Sequence, residues 1–208
     1  MYTPDHFVMD DFETISDFIT AHNFAALIGR DSDDQMIASH LPFMFDATRG
    51  DKGTLIAHMA RANPHWQGFA GNAEALVIFQ GPHAYISPNW YVNEPAVPTW
   101  NYLAVHAYGR PVIIEDEAEK RAMFERLVAT HEAGFETPWQ LEGPEEFLAK
   151  MSRATVAFEI EVTRFDAKAK LGQNRKAGDP EGVIKNLRNQ NDQTASELAD
   201  ITEQWIKN

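Results

Sequence analysis

Cysteine is absent from the 208 residues, which removes disulfides, thiolate metal sites, iron–sulfur clusters and cysteine nucleophiles together. No stretch approaches the roughly 18 to 20 apolar residues of a membrane-spanning helix. The opening MYTPDHFVMDDFE has neither the basic start nor the apolar run of a secretory signal, so a cytoplasmic protein is expected. Positive charge is scarce: 18 Lys and Arg stand against 31 Asp and Glu, a net charge of -13. Such a surface repels phosphate backbones and anionic membranes. The chain also lacks G-x-G-x-x-G, a Walker loop, G-x-S-x-G and H-E-x-x-H. Dinucleotide, nucleotide-phosphate, hydrolase and zinc-protease templates therefore have nothing to attach to. The eight histidines are scattered at irregular spacing, and no metal centre is expected from them.

Apolar residues make up 44% of the chain, enough for one generous core. Periodicity predicts a helix over residues 11–22, with Phe12, Ile15, Phe18, Ile19 and His22 on one face behind Asp10 and Asp11. Short apolar runs at 24–30, 35–45, 53–60 and 74–81 read as strands. They are separated by DSDD, DATRGDKG and a short helix in NPHWQGF. A further strand or bent pair covers 101–114, with Gly109 and Pro111 at the bend. Asp116 and Glu119 form a capping box for a helix with Phe124, Leu127, Val128 and His131 on one face. TVAFEIEVTRF, 155–165, alternates strictly and reads as a half-exposed strand. Asp179 and Pro180 then start one helix, and Thr194 with Glu197 start a last one that buries Leu198, Ile201 and Trp205. Strands this short and closely spaced favour antiparallel neighbours. The expected class is α+β, mainly β: an antiparallel barrel with peripheral and C-terminal helices. One domain is expected over 1–190, with 191–208 as a C-terminal helix.

Three features invite a chemical reading. Tyr85, Trp90, Tyr91, Trp100 and Tyr102 crowd into residues 85–102, where they either fill a core or wall a place for something flat and partly polar. His40, His58 and His106 each interrupt an apolar strand pattern. Each alone is most simply a satisfied core histidine, but three in one sheet suggest a polar seam, since a buried imidazole needs a partner. Arg61 and Asn63 stand at a strand end, where free backbone amides are expected, just before a helix start at Pro64. That combination suits an anion. A basic island runs from Arg164 to Arg188, where seven Lys and Arg face three Asp and Glu. Without a ligand it reads as solvated surface.

MYTPDHF (1–7), HLPF (40–43), HMARANPHW (58–66), GPHAYISPNWY (81–91), VPTWNY (97–102), VHAYG (105–109), KLGQNR (170–175) and GVIKNLR (182–188) together resemble the PaiB family of FMN-binding, so-called negative transcriptional regulators. The likeness runs in order from residue 1 to about 190. It departs at Ala57, where glycine is common, and at Gly172, where serine is common. The resemblance implies a split barrel related to pyridoxamine-phosphate-oxidase-like flavoproteins, a homodimer, and FMN at the subunit interface. On this basis Trp100 and Asn101 are the expected ring contacts, and Arg61 with Asn63 the expected phosphate donors. Lys170, Gln173, Asn174 and Arg175 would close over the phosphate, while His40 and His58 would line the site. Two other classes stay open. One is a haem-binding or haem-degrading split barrel with His40, His58 or His106 as axial ligand. The other is a non-catalytic FMN-sensing regulator that acts through protein contacts. Direct binding to nucleic acid is not expected of so acidic a chain.

Overall fold

The computed structural model describes residues 1–71 and 73–207. In chain order the elements are α1 (Phe12–Ala21), β1 (Phe24–Arg30), β2 (Met36–Pro42), β3 (Met44–Asp46), β4 (Thr54–Ala60), a 3-10 helix over Pro64–Gly71, β5 (Ala75–Ile86), β6 (Thr99–Ile113), α2 (Glu117–Glu132), α3 (Glu145–Arg153), β7 (Thr155–Lys170), α4 (Asp179–Arg188) and α5 (Gln193–Lys207). The strands are hydrogen-bonded in the order β2-β1-β5-β6-β7-β4-β3. The pairs β1–β2, β1–β5, β3–β4 and β4–β7 are antiparallel, which gives the mainly-β α+β class read from the sequence. No helix among the described residues is long and apolar enough to cross a membrane.

The differences from the expected elements concern length, the division of the run at 35–45 into β2 and β3, and one additional helix. GPHAYI belongs to β5, which runs on to Ile86, and β6 passes unbroken through Gly109 and Pro111 instead of bending there. β7 continues five residues beyond Phe165, to Lys170. The short helix α3, after Pro144, was not anticipated; none of its residues is buried.

Two compact units divide the chain. The first comprises residues 1–18, 79–106 and 166–208. Its core includes Phe7, Ile15, Phe79, Ile86, Leu103, Leu171, Val183, Leu187 and Leu198, all at most 6% exposed. α4 and α5 pack against each other, and Leu187 on the first and Leu198 on the second are both fully buried. The start of α5 is capped by Asp192, whose Oδ1 accepts from the Ala195 N–H at 2.7 Å. Thr194, the cap suggested by the sequence, already lies inside the helix.

The second unit comprises 19–78 and 107–165. Here the alternation of β7 is realised: Val156, Phe158, Ile160 and Val162 are buried, while Glu161 and Thr163 are exposed. Phe158 packs edge-on against Phe43, with 6.3 Å between ring centroids, and tilted against Phe69 at 5.0 Å. A smaller cluster of Ile56, Ile114, Met123 and Ala157, with Met44 and Phe124 against it, seats α2. As expected, Asp116 caps α2, its Oδ1 accepting from Glu119 N–H at 2.8 Å. The buried face differs from the predicted one: Met123 and Lys120 are buried, Phe124, Leu127 and Val128 are half-buried, and His131 is exposed.

Candidate functional site

The aromatic stretch settles its own question. None of Tyr85, Trp90, Tyr91, Trp100 and Tyr102 is fully buried, and Tyr85 and Trp100 are 46% and 54% exposed. They are therefore not core. Within the first unit, Trp100 on β6 meets Tyr85 on β5 edge-on at 6.1 Å and lies 6.3 Å from the His83 ring. The result is a standing wall of flat side chains open to solvent. Asn101 is 2% exposed, because neighbours along a strand point to opposite faces. Trp100 and Asn101 thus do not present their side chains to one face.

The basic island supplies cations to the same unit. Lys168 is 6% exposed. Its ammonium donates to the Tyr2 carbonyl at 3.1 Å and sits 5.2 to 5.8 Å from the rings of Tyr2, Phe7 and Tyr102. Lys170 donates to Thr99 Oγ1, and to the Trp100 carbonyl at 2.9 Å. Burial pushes the Lys170 pKa down, and the neighbouring charges of Lys168 and Arg175 push it further. The Arg175 guanidinium stacks 4.1 Å over the Tyr91 ring. Gln173 braces the turn: its Oε1 accepts from the Leu171 N–H at 2.8 Å and its Nε2 donates to the Ala169 carbonyl at 2.6 Å. The backbone at Gly172 has φ +92°, a conformation in which serine would be strained, and the Arg175 N–H closes the turn onto the Gly172 carbonyl. Asn174 is exposed.

The remaining expected site residues lie in the second unit. His40 is exposed and stacks on Phe24. His58 packs edge-on to Phe124, with a buried Nδ1 that has no hydrogen-bond partner, and burial lowers its pKa. Arg61 is exposed, but its Nε and one Nη donate to the carbonyls of Arg153 (2.8 Å) and Thr155 (3.0 Å), and its guanidinium lies 5.6 Å over Trp66. The free amides expected at this strand end are occupied. The N–H groups of Arg61, Asn63 and His65 donate to Ala154 O, Ala60 O and Asn63 Oδ1 respectively. Asn63 also donates through Nδ2 to Ser39 Oγ at 3.0 Å. Its amide therefore serves the fold. The guanidinium of Arg61 is held by two backbone carbonyls.

One buried polar residue escaped the sequence reading. His65 is fully buried, with Nδ1 3.0 Å from Ser39 Oγ, and Ser39 is itself 8% exposed. Nε2 has no partner and faces Gly29. Burial lowers the His65 pKa and the charge of Asp31 partly offsets this. The available signal was the alternation of Ile37, Ser39 and Leu41, which turns Ser39 inward and His40 outward.

FMN carries a dianionic phosphate and a ring that is flat and apolar at one end and rich in acceptors at the other. The first unit matches that chemistry with cations whose hydrogen bonds run to neutral oxygens, beside an open wall of rings. The profile of the family described as "Putative FMN-binding domain" matches residues 1–164. "Protease synthase and sporulation protein PAI 2" of Bacillus subtilis is 35% identical over 210 residues, covering 100% of this chain and 99% of that protein. An uncharacterized protein of Emericella nidulans is 31% identical over 188 residues, 73% of this chain and 75% of its own. Among solved structures, the flavocytochrome Anf3 of Azotobacter vinelandii superposes with a TM-score of 0.62 at 17% identity, over 80% of this chain and 70% of that one. The FAD- and haem-binding protein of Mycobacterium smegmatis gives 0.60 at 18% identity, over 83% and 78%. These likenesses show the split-barrel fold. The chain belongs to the PaiB family of FMN-binding split-barrel proteins, and FMN is its cofactor.

Proposed function

We propose that the chain works as a homodimeric flavoprotein that takes the FMN phosphate on Lys170 and Arg175 and sets the ring against the Trp100 wall. The observation that carries this reading is the Lys168, Lys170 and Arg175 group. Burial, and after it the charges of Lys168 and Arg175, lower the Lys170 pKa, and an arriving phosphate offsets the repulsion among the three cations. Gln173 and Asn174 shape the turn that presents them, Asn101 supports the wall from the buried side of β6, and His40 and His58 serve the second unit. Bound FMN supplies hydride or single-electron exchange; the chain's own residues bind and orient it. The exposed Tyr85 and Trp100 pair suits a subunit contact, since Tyr and Trp are enriched at interface centres. An effect on transcription would be indirect, through a molecule converted or a protein contacted.

Flavin titrations followed by fluorescence quenching test the assignment. Lys170→Ala and Arg175→Ala should each weaken FMN by about 10- to 100-fold, the loss of one charge-assisted hydrogen bond, and leave riboflavin nearly unaffected. Equal losses for both flavins would move the phosphate away from these residues.

A further inference from the structure

Asp179 is 2% exposed, and its carboxylate does not cap the helix it begins. Oδ1 accepts instead from the backbone N–H of Val92 at 2.9 Å, from that of Asn93 at 3.0 Å and from Asn93 Nδ2 at 3.1 Å. Asn93 Nδ2 also donates to the Ala177 carbonyl at 3.1 Å. Val92 and Asn93 follow directly on Tyr91, and Ala177 and Asp179 follow closely on Arg175. One buried carboxylate therefore ties together the two segments that carry the stacked Arg175–Tyr91 pair. Burial pushes the carboxyl up, but the hydrogen bonds from Asn93 and Val92 and the charge of Arg175 outweigh it and hold it below the usual carboxylate range.

We propose that Asp179 is a positioning residue for the phosphate end of the flavin site, holding Tyr91 under Arg175 so that the guanidinium is presented to the anion. The proposal rests on the assignment of the phosphate to Lys170 and Arg175. Because all three donors converge on Oδ1, an amide oxygen in its place keeps the latch. The negative charge itself works against a nearby phosphate, so removing it with the geometry intact does not weaken FMN.

FMN and riboflavin affinities of Asp179→Ala, Asp179→Asn and Arg175→Ala, and of Asp179→Ala combined with Arg175→Ala, decide the matter. In Asp179→Ala the FMN-over-riboflavin preference should fall about tenfold, and in Asp179→Asn it should hold or rise. The double variant should lose little beyond Arg175→Ala alone, as expected for a residue that acts through another. A purely structural role would lower both flavins alike and leave the preference intact, which overturns the proposal, as would equal losses for the alanine and asparagine variants. If Asp179→Ala does not fold, Asn93→Ala removes two bonds of the same latch and should shift the preference in the same direction; an unchanged preference there counts against it. A preference that survives Arg175→Ala defeats the phosphate assignment instead, and so separates the two failures.

Discussion

A methyl group on Gly29 would stand 2.8 Å from Nε2 of His65, and the ring has nowhere to retreat because Ser39 holds its other nitrogen. Gly29→Ala should therefore cost about 1 to 3 kcal/mol, the usual penalty for overpacking, read as a lower urea midpoint with an unchanged slope. His58 is the opposite case. Its buried Nδ1 lacks a partner, so His58→Leu, of similar volume and without the orphan, should raise stability by about 1 kcal/mol near neutral pH. Both rings have folded-state pKa values lowered by burial, against about 6.5 in the unfolded chain. The unfolded state thus binds protons more readily: the contribution is complete above about pH 6.5 and is lost as pH falls below it. Melting curves from pH 8 to pH 5 should show that decline, and His58→Leu should flatten it. An identical slope in the variant would exclude His58 as a source.

At the scale of elements, the α4–α5 pair separates effects that look alike on paper. Leu198 is fully buried, and Leu198→Ala should cost about 2 to 5 kcal/mol through lost burial and the cavity left behind. Arg188 reaches from α4 to Asp200 at 2.6 Å and Glu203 at 2.8 Å on α5, but its side chain is 42% exposed. Solvent screens such pairs, so Arg188→Ala should cost at most about 1 kcal/mol, and less at high salt. Chemical denaturation of both variants at low and high salt checks the ranking. The same ion pairs bear on regulation, because they neutralise a basic residue of α4 with acids of α5, where a groove-reading helix would carry Arg, Lys or Asn.

For the molecule as a whole, a net charge of -13 opposes contact with a polyanion, since binding to duplex DNA draws on neutralised phosphates and weakens with salt. Mobility-shift titrations at low and moderate salt should show no specific duplex binding below the micromolar range. Salt-sensitive, sequence-specific shifts at lower concentration would defeat the indirect reading. Sedimentation should report a dimer, and Trp100→Ala should weaken the dimer and flavin retention together; a stable monomer that holds one flavin would separate them. The sequence by itself determined the class, because alternation, turn residues and caps are local: β1 and β4 begin and end almost where their patterns do, and Asp116 caps α2 as its spacing requires. It determined the family through motifs in consistent order, and it marked the cationic turn at 170–175. Only the tertiary structure decided which face of a strand looks inward, since a period of two is satisfied by either. Trp100 therefore points out and Asn101 in, and Ser39 faces inward where His40 was expected. It also decided the partners of polar groups far apart in sequence. His65 meets Ser39 across 26 residues and Asp179 meets Val92 across 87, because a buried donor or acceptor takes whichever group chain closure brings within reach, and no local pattern encodes that choice.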